Sequence, residues 1–177
     1  GVIPVGNVTS SIAGRVLSNL GGPLGGAMVA IGGTRVWTDK EGYFLFPKGQ
    51  YDSNGTLLRV EKQGYFNAHR FAYPQVDGVE NVEIYMVPAS KSGEFMASAG
   101  GTIMIYNASV TVPASAESKN GVPYDGVVTA YVTWLDPTNK TTFETMPGDL
   151  RGIEDGKVKF LRTFGMLGVE LRGENGS

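Results

Sequence analysis

Three groups of residues carry side chains that could do chemistry. The first is the acid pair Asp39 and Glu41 in TDKEGYFLF (residues 38–46), which could serve in acid–base work or hold a cation. The second is His69, the single histidine, a possible base or metal ligand. The third is the run YFNAHRFAY (residues 65–73). There Tyr65, Phe66, Phe71 and Tyr73, with His69 and Arg70, could form an aromatic strip on which sugar rings stack beside polar groups.

The acids read better as a turn than as a site. A calcium loop needs several regularly spaced oxygen ligands, and DKEG and the later DSNG (residues 52–55) each supply a fragment of one. As structure, every residue has a role. Asp39 caps backbone amides, and Gly42 takes a positive φ. Phe44 and Phe46 then point to one face and Tyr43 and Leu45 to the other. His69 has no evident partner nearby in sequence and reads as an ordinary strand histidine. Most aromatics of a small sandwich serve its core or edges, so the strip competes with that plainer role. Trp134 alternates with Val132 and reads as a core anchor.

Other chemistries fall away on residue type. The chain has no cysteine, which removes thiol catalysis, thiolate metal sites and disulfides. GGPLGG (residues 21–26) lacks the Lys-Ser/Thr of a phosphate loop, and no serine lies in a G-x-S-x-G elbow. Lys and Arg are scattered through a chain of net charge −2, so nucleic acid is not an expected partner. No apolar run reaches the roughly 18 residues of a membrane span. No set of acids, nucleophile or metal ligands assembles, and the expectation is a protein that is not an enzyme and needs no cofactor. Sequons at Asn7, Asn54, Asn107, Asn139 and Asn175 read as chance products of a Ser/Thr-rich strand protein.

The elements that must position these residues are short strands. The 26 glycines of this 177-residue chain are spread without period and read as punctuation between them. Alternating segments are predicted at residues 11–17, 27–31, 34–38, 42–46, 56–62, 66–72 and 79–87. A polar loop, PKGQYDSNG, is expected between the fourth and fifth. PASKSG (residues 88–93) is the expected linker. Beyond it TIMIYN, ASVTVP, VVTAYVTWL, KVKFL and MLGVEL read as strands, and ASAESKN (residues 114–120) as the one place for a helical turn. The closing Asn175-Gly176 suits a hairpin turn whose return strand would lie in a longer natural chain.

The order GRVL, Pro23, AMVAI, Thr38-Asp39, Gly42-Tyr43-Phe44 and Gly64-Tyr65 resembles the carboxypeptidase regulatory-like domain across residues 11–88. That resemblance implies a prealbumin-like (transthyretin-like) sandwich of seven or eight strands, non-catalytic and found in proteins of bacterial surfaces. A related family crosslinks Lys to Asn. Here the first strand carries Arg15 instead, and no crosslink is predicted. GGTIMIYNASVTVPASA (residues 100–116) is similar to the opening of the β-sandwich shared by ankyrins and netrin receptors. The segment of residues 146–171, with its Pro147-Gly148-Asp149 turn, looks like one that follows such a strand in bacterial surface proteins.

The expectation is therefore an all-β chain of two consecutive sandwich domains, residues 1–88 and 89–177. It would be exported to the cell surface, outer membrane or periplasm of a Gram-negative, Bacteroidetes-like bacterium. Its role would be that of a spacer or docking surface for other domains or surface proteins. The alternative is a polysaccharide-binding module using Tyr65, Phe66, His69, Arg70, Phe71 and Tyr73.

Overall fold

The computed structural model describes residues 6–106, 108–114, 121–136, 138, 145, 151–154, 157–160 and 166–174. Its named elements are strands, and the chain is all-β. They are β1 (Asn7–Ser18), β2 (Met28–Ile31), β3 (Thr34–Trp37), β4 (Tyr43–Asp52), β5 (Thr56–Glu61), β6 (Ala68–Ala72) and β7 (Val79–Met86). Then follow β8 (Lys91–Met96), β9 (Gly101–Ile105), β10 (Ala108–Val112), β11 (Val127–Leu135), β12 (Arg151–Glu154), β13 (Lys157–Phe160) and β14 (Met166–Arg172). Two compact units result, Gly1–Pro88 with Pro137–Thr163, and Ala89–Asp136 with Phe164–Ser177.

In the first unit, period-2 alternation puts branched and aromatic residues on one face of each strand, and two sheets bury those faces together. One sheet has the order β4-β1-β7 and the other β3-β2-β5-β6. Ile12, Val16, Phe44, Phe46, Val82, Ile84 and Met86 of the first sheet meet Val29, Leu58, Val60 and Ala72 of the second in one core. Each such large side chain contributes about 1.5–3 kcal/mol on burial. The central strand β1 runs antiparallel to β4 and parallel to β7, from Ser11 opposite Val79 to Ser18 opposite Met86. Gly14 on β1 leaves the space that the Phe44 ring fills, for a Cβ there would come within 2.6 Å of it.

The second unit holds a sheet of order β14-β11-β8 and the pair β10-β9. Its smaller core is Ile103, Ala130 and Val132, with Phe95, Ile105, Val110 and Leu167 packed against it. Separately, β12 pairs antiparallel with β13, Arg151 opposite Phe160.

Several expectations need correction or placement. The polar loop after Phe46 is in part strand, because β4 continues to Asp52 opposite the start of β1. Pro47 and Lys48 face Ser11 across a bulge, on an edge strand where a missing N–H is tolerated. The linker at residues 88–93 is shorter than expected, since Lys91 and Gly93 already pair with Tyr131 and Ala130 in the β8–β11 ladder. Trp134 is 42% exposed, because it lies one step past Val132 at the end of the buried row. The helical turn expected at residues 114–120 lies, but for Ala114, outside the described residues, as do the Pro147-Gly148-Asp149 turn, the Asn175-Gly176 hairpin, and the sequons at Asn107, Asn139 and Asn175.

Candidate binding surface

The acid pair is a turn. The Asp39 Oδ1 accepts hydrogen bonds from the amides of Glu41 (2.9 Å) and Tyr43 (2.8 Å). Gly42 sits at φ +83°, and its carbonyl accepts the Val16 amide at 2.8 Å. Thr38, 6% exposed, fastens the turn to the preceding loop: its hydroxyl donates to the Leu24 carbonyl (2.6 Å) and accepts the Ala27 amide (2.8 Å). The Glu41 backbone carbonyl accepts the Arg15 Nε at 2.9 Å, and that guanidinium lies 4.8 Å from the centre of the Tyr43 ring.

The same alternation that fills the core leaves an outer face on the β3-β2-β5-β6 sheet. Register assembles it in rows. Arg35 stands opposite Ala30, Ala30 opposite Arg59, and Arg59 opposite His69, so one row crosses all four strands. At the usual strand spacing the two arginines lie about 10 Å apart. On one side of this row are Trp37, Met28 and Glu61, and on the other Leu57 and Phe71. Trp37 is 64% exposed, and Phe71 and Tyr73 are each 39% exposed. Gly55 opens space beneath the last two: a Cβ there would lie 3.2 Å from the Phe71 ring and 3.6 Å from the Tyr73 ring.

The six residues expected to form a ligand strip are thus divided. His69 and Phe71 point outward from β6, and Tyr73, just beyond it, has its ring beside that of Phe71 over Gly55. Arg70 alternates to the opposite side, in register with the buried Leu58. Tyr65 packs against the core and bridges to Pro88, while the half-buried Phe66 gives its amide to Val87. Sequence reasoning missed Trp37, Arg35 and Arg59, which join the face only through strand register.

Beside this face an open groove of about 500 Å³ runs past the end of β2, between Ile31-Gly32, residues 50–52, residues 55–57 and Arg59. Tyr51 lines it, with its hydroxyl donating to the Pro47 carbonyl at 2.8 Å. Burial pushes the Tyr51 phenol above its ordinary range.

In the second unit, the outer face of β14-β11-β8 is polar and internally paired. Arg172 bonds Glu170 at 3.0 Å and lies 4.6 Å from the Tyr131 ring centre. Lys91 pairs with Glu94, which also accepts from Thr129 at 3.2 Å. The Lys91 hydrogen bond above all holds the Glu94 carboxyl below the usual carboxylate range. A depressed folded-state pKa stabilises above the unfolded value, about 4.3 for Glu, and that contribution is lost as pH falls through the lower folded value. Lys91→Ala is expected to move the Glu94 titration upward in an NMR pH series while hardly moving the urea midpoint, because the pair is exposed. An unchanged titration would show that Lys91 does not hold the carboxylate.

No family model matches the chain. Human cartilage intermediate layer protein 2 is 46% identical over 54 residues, 30% of this chain and 5% of that protein. Human cartilage intermediate layer protein 1 is 47% identical over 57 residues, 32% of this chain and 5% of that protein. The mouse form of protein 2 is 25% identical over 130 residues, 73% of this chain and 11% of that protein. The chain therefore spans only about a twentieth to a tenth of the length of these curated relatives. They are mammalian, whereas the sequence pattern pointed to a bacterial source. Among solved structures, a candidate membrane-associated protein of unknown function from Bacteroides fragilis superposes with a TM-score of 0.38 at 26% identity, covering 47% of this chain and 29% of that one. A candidate carbohydrate binding protein from Bacteroides uniformis gives a TM-score of 0.35 at 10% identity, covering 72% and 60%.

Proposed function

We propose that this chain is a non-catalytic module of an exported protein, acting at a cell surface or outside the cell as a spacer and docking surface. In this reading the first unit is a carboxypeptidase regulatory-like, prealbumin-like sandwich, and the second a structural sandwich of the ankyrin and netrin-receptor type. Two packed sheets, a β1 paired on both edges and the capped Thr38–Tyr43 turn support the first assignment. Relatives named for a layer of cartilage support an extracellular setting.

The observation that carries the docking role is the outer face of β3-β2-β5-β6. Trp37 on β3, Phe71 on β6 and Tyr73 just beyond β6 expose aromatic surface there, and the opposite face of the sheet holds the core. That face also favours a second reading, a polysaccharide-binding module. A rigid sheet presenting ring faces binds sugar rings with little loss of conformational freedom. Affinity electrophoresis of the chain through gels loaded with a range of polysaccharides tests it. At least one polymer is expected to retard the chain, and Phe71→Ala or Trp37→Ala to weaken that interaction about 3- to 10-fold, in line with about 0.5–1.5 kcal/mol per aromatic contact. Migration unaffected by every polymer would leave the spacer reading alone.

A further inference from the structure

We infer that the outer face of β3-β2-β5-β6 takes an acidic polysaccharide, one carrying carboxylate or sulfate groups, through the row Arg35–Ala30–Arg59–His69. This inference rests on the polysaccharide reading of that face and adds the charge of the ligand.

The argument begins with the arginines. The chain as a whole carries a net charge of −2, so two arginines in one cross-strand row are not a by-product of general basicity. Among the described residues neither Arg35 nor Arg59 has an ion-pair partner, although Lys48, Lys91 and Arg172 each do. A guanidinium presents a planar fork of donors that matches carboxylate and sulfate oxygens in pairs. Ala30 stands between the two with the smallest side chain a strand can offer short of glycine, and it is 1% exposed. Ala30 itself therefore gives a ligand no surface, and the exposed members of the row are Arg35, Arg59 and His69. His69 ends the row with ring nitrogens that can bond hydroxyl or acidic oxygens.

Apolar surface flanks the charges on both sides. Trp37 lies one row over toward the β2–β5 pairs of Met28 with Glu61, and Phe71 lies beside Leu57 on the other side. Glu61, the acid in the Trp37 row, is separated from the Phe71 side by the arginines and would turn an acidic chain toward Phe71 and Tyr73. There the groove continues past Leu57 and Gly55, so a polymer has room to extend beyond the strip. Rings for stacking with guanidinium forks about 10 Å apart suit a chain that repeats both sugar faces and acid groups.

The test uses the whole 177-residue chain against heparin, polygalacturonate and neutral dextran, by affinity electrophoresis and by titration at rising salt. One or both acidic polymers are expected to bind more tightly than dextran, and added salt to weaken them. Arg35→Gln and Arg59→Gln are each expected to weaken binding about tenfold, which corresponds to about 1.4 kcal/mol. Lys48→Gln on the other sheet makes the same charge change and is expected to have little effect. Binding of heparin alone would identify sulfate as the recognised group, and of polygalacturonate alone carboxylate. Dextran binding that Arg35→Gln and Arg59→Gln leave intact would overturn the acidic ligand while keeping the polysaccharide reading. Absence of binding to heparin and polygalacturonate would overturn the acidic ligand, and the wider range of polymers then decides the polysaccharide reading. Duplex DNA held as tightly as heparin, with the same loss in the arginine variants, would show an indifferent polyanion surface and overturn the assignment as well.

Discussion

Gly42→Ala is expected to destabilise the first unit by about 2–5 kcal/mol, a large part of the whole for a domain of this size. Two costs add. The residue lies at φ +83°, where an L side chain costs about 1–2 kcal/mol. A Cβ there would also overlap the Val16 carbonyl oxygen and crowd the Leu24 amide at 3.3 Å. Those are backbone atoms already bound to one another at 3.0 Å, so neither can give way without losing that bond. Overpacking of this kind costs about 1–3 kcal/mol. Gly32→Ala is the matched control, because Gly32 also has a positive φ, +55°, but nothing lies within 4 Å of its would-be Cβ. The measurement is the urea midpoint of first-unit residues followed residue by residue by NMR. Equal losses in the two variants would refute the steric part of the argument.

Thr38→Val is expected to cost about 2–4 kcal/mol with almost no change in volume. The valine keeps the shape and removes a buried hydroxyl that bonds the Leu24 carbonyl and the Ala27 amide. Each orphaned buried group costs about 1–3 kcal/mol. Thr38→Ser, which retains the oxygen, should recover most of the loss. Amide exchange gives a local readout: Ala27 is expected to lose protection in the valine variant and keep it in the serine variant. Undiminished protection at Ala27 in Thr38→Val would mean that the hydroxyl does not hold the loop.

These two residues also show what can be read from the chain before folding. TDKEGY announces its turn because the chemistry is local, an Asx cap and a positive-φ glycine within five residues. Strand positions were legible for a similar reason, as alternation in stretches such as VENVEIYM survives any topology. The extension of β4 through Pro47 was hidden, since proline ordinarily stops a strand and only an edge bulge excuses it. Trp134 was misplaced because alternation fixes a side chain's face but not where along the strand the core ends.

The candidate surface was half legible for a different reason. Phe71 and Tyr73 sit in one visibly aromatic stretch, and so did Tyr65 and Phe66, which the fold turns toward the core and toward Val87 and Pro88. Arg35, Arg59 and His69 lie far apart in sequence and become neighbours only when β2, β3, β5 and β6 align at one register. A search for basic runs passes over them. A one-residue slip of β5 would send Arg59 inward and dissolve the row.

The parallel pairing of β1 with β7 bears on how the first unit would carry load. Tension applied to the start of β1 and to the far end of β7 pulls these neighbours in opposite directions along their common axis. The ladder from Ser11–Val79 to Ser18–Met86 is then strained in shear, with all its hydrogen bonds loaded together and not peeled one at a time. A strand pair arranged in this way yields only at high force. Pulled at those two ends, the first unit would thus hold its length until the whole ladder ruptures.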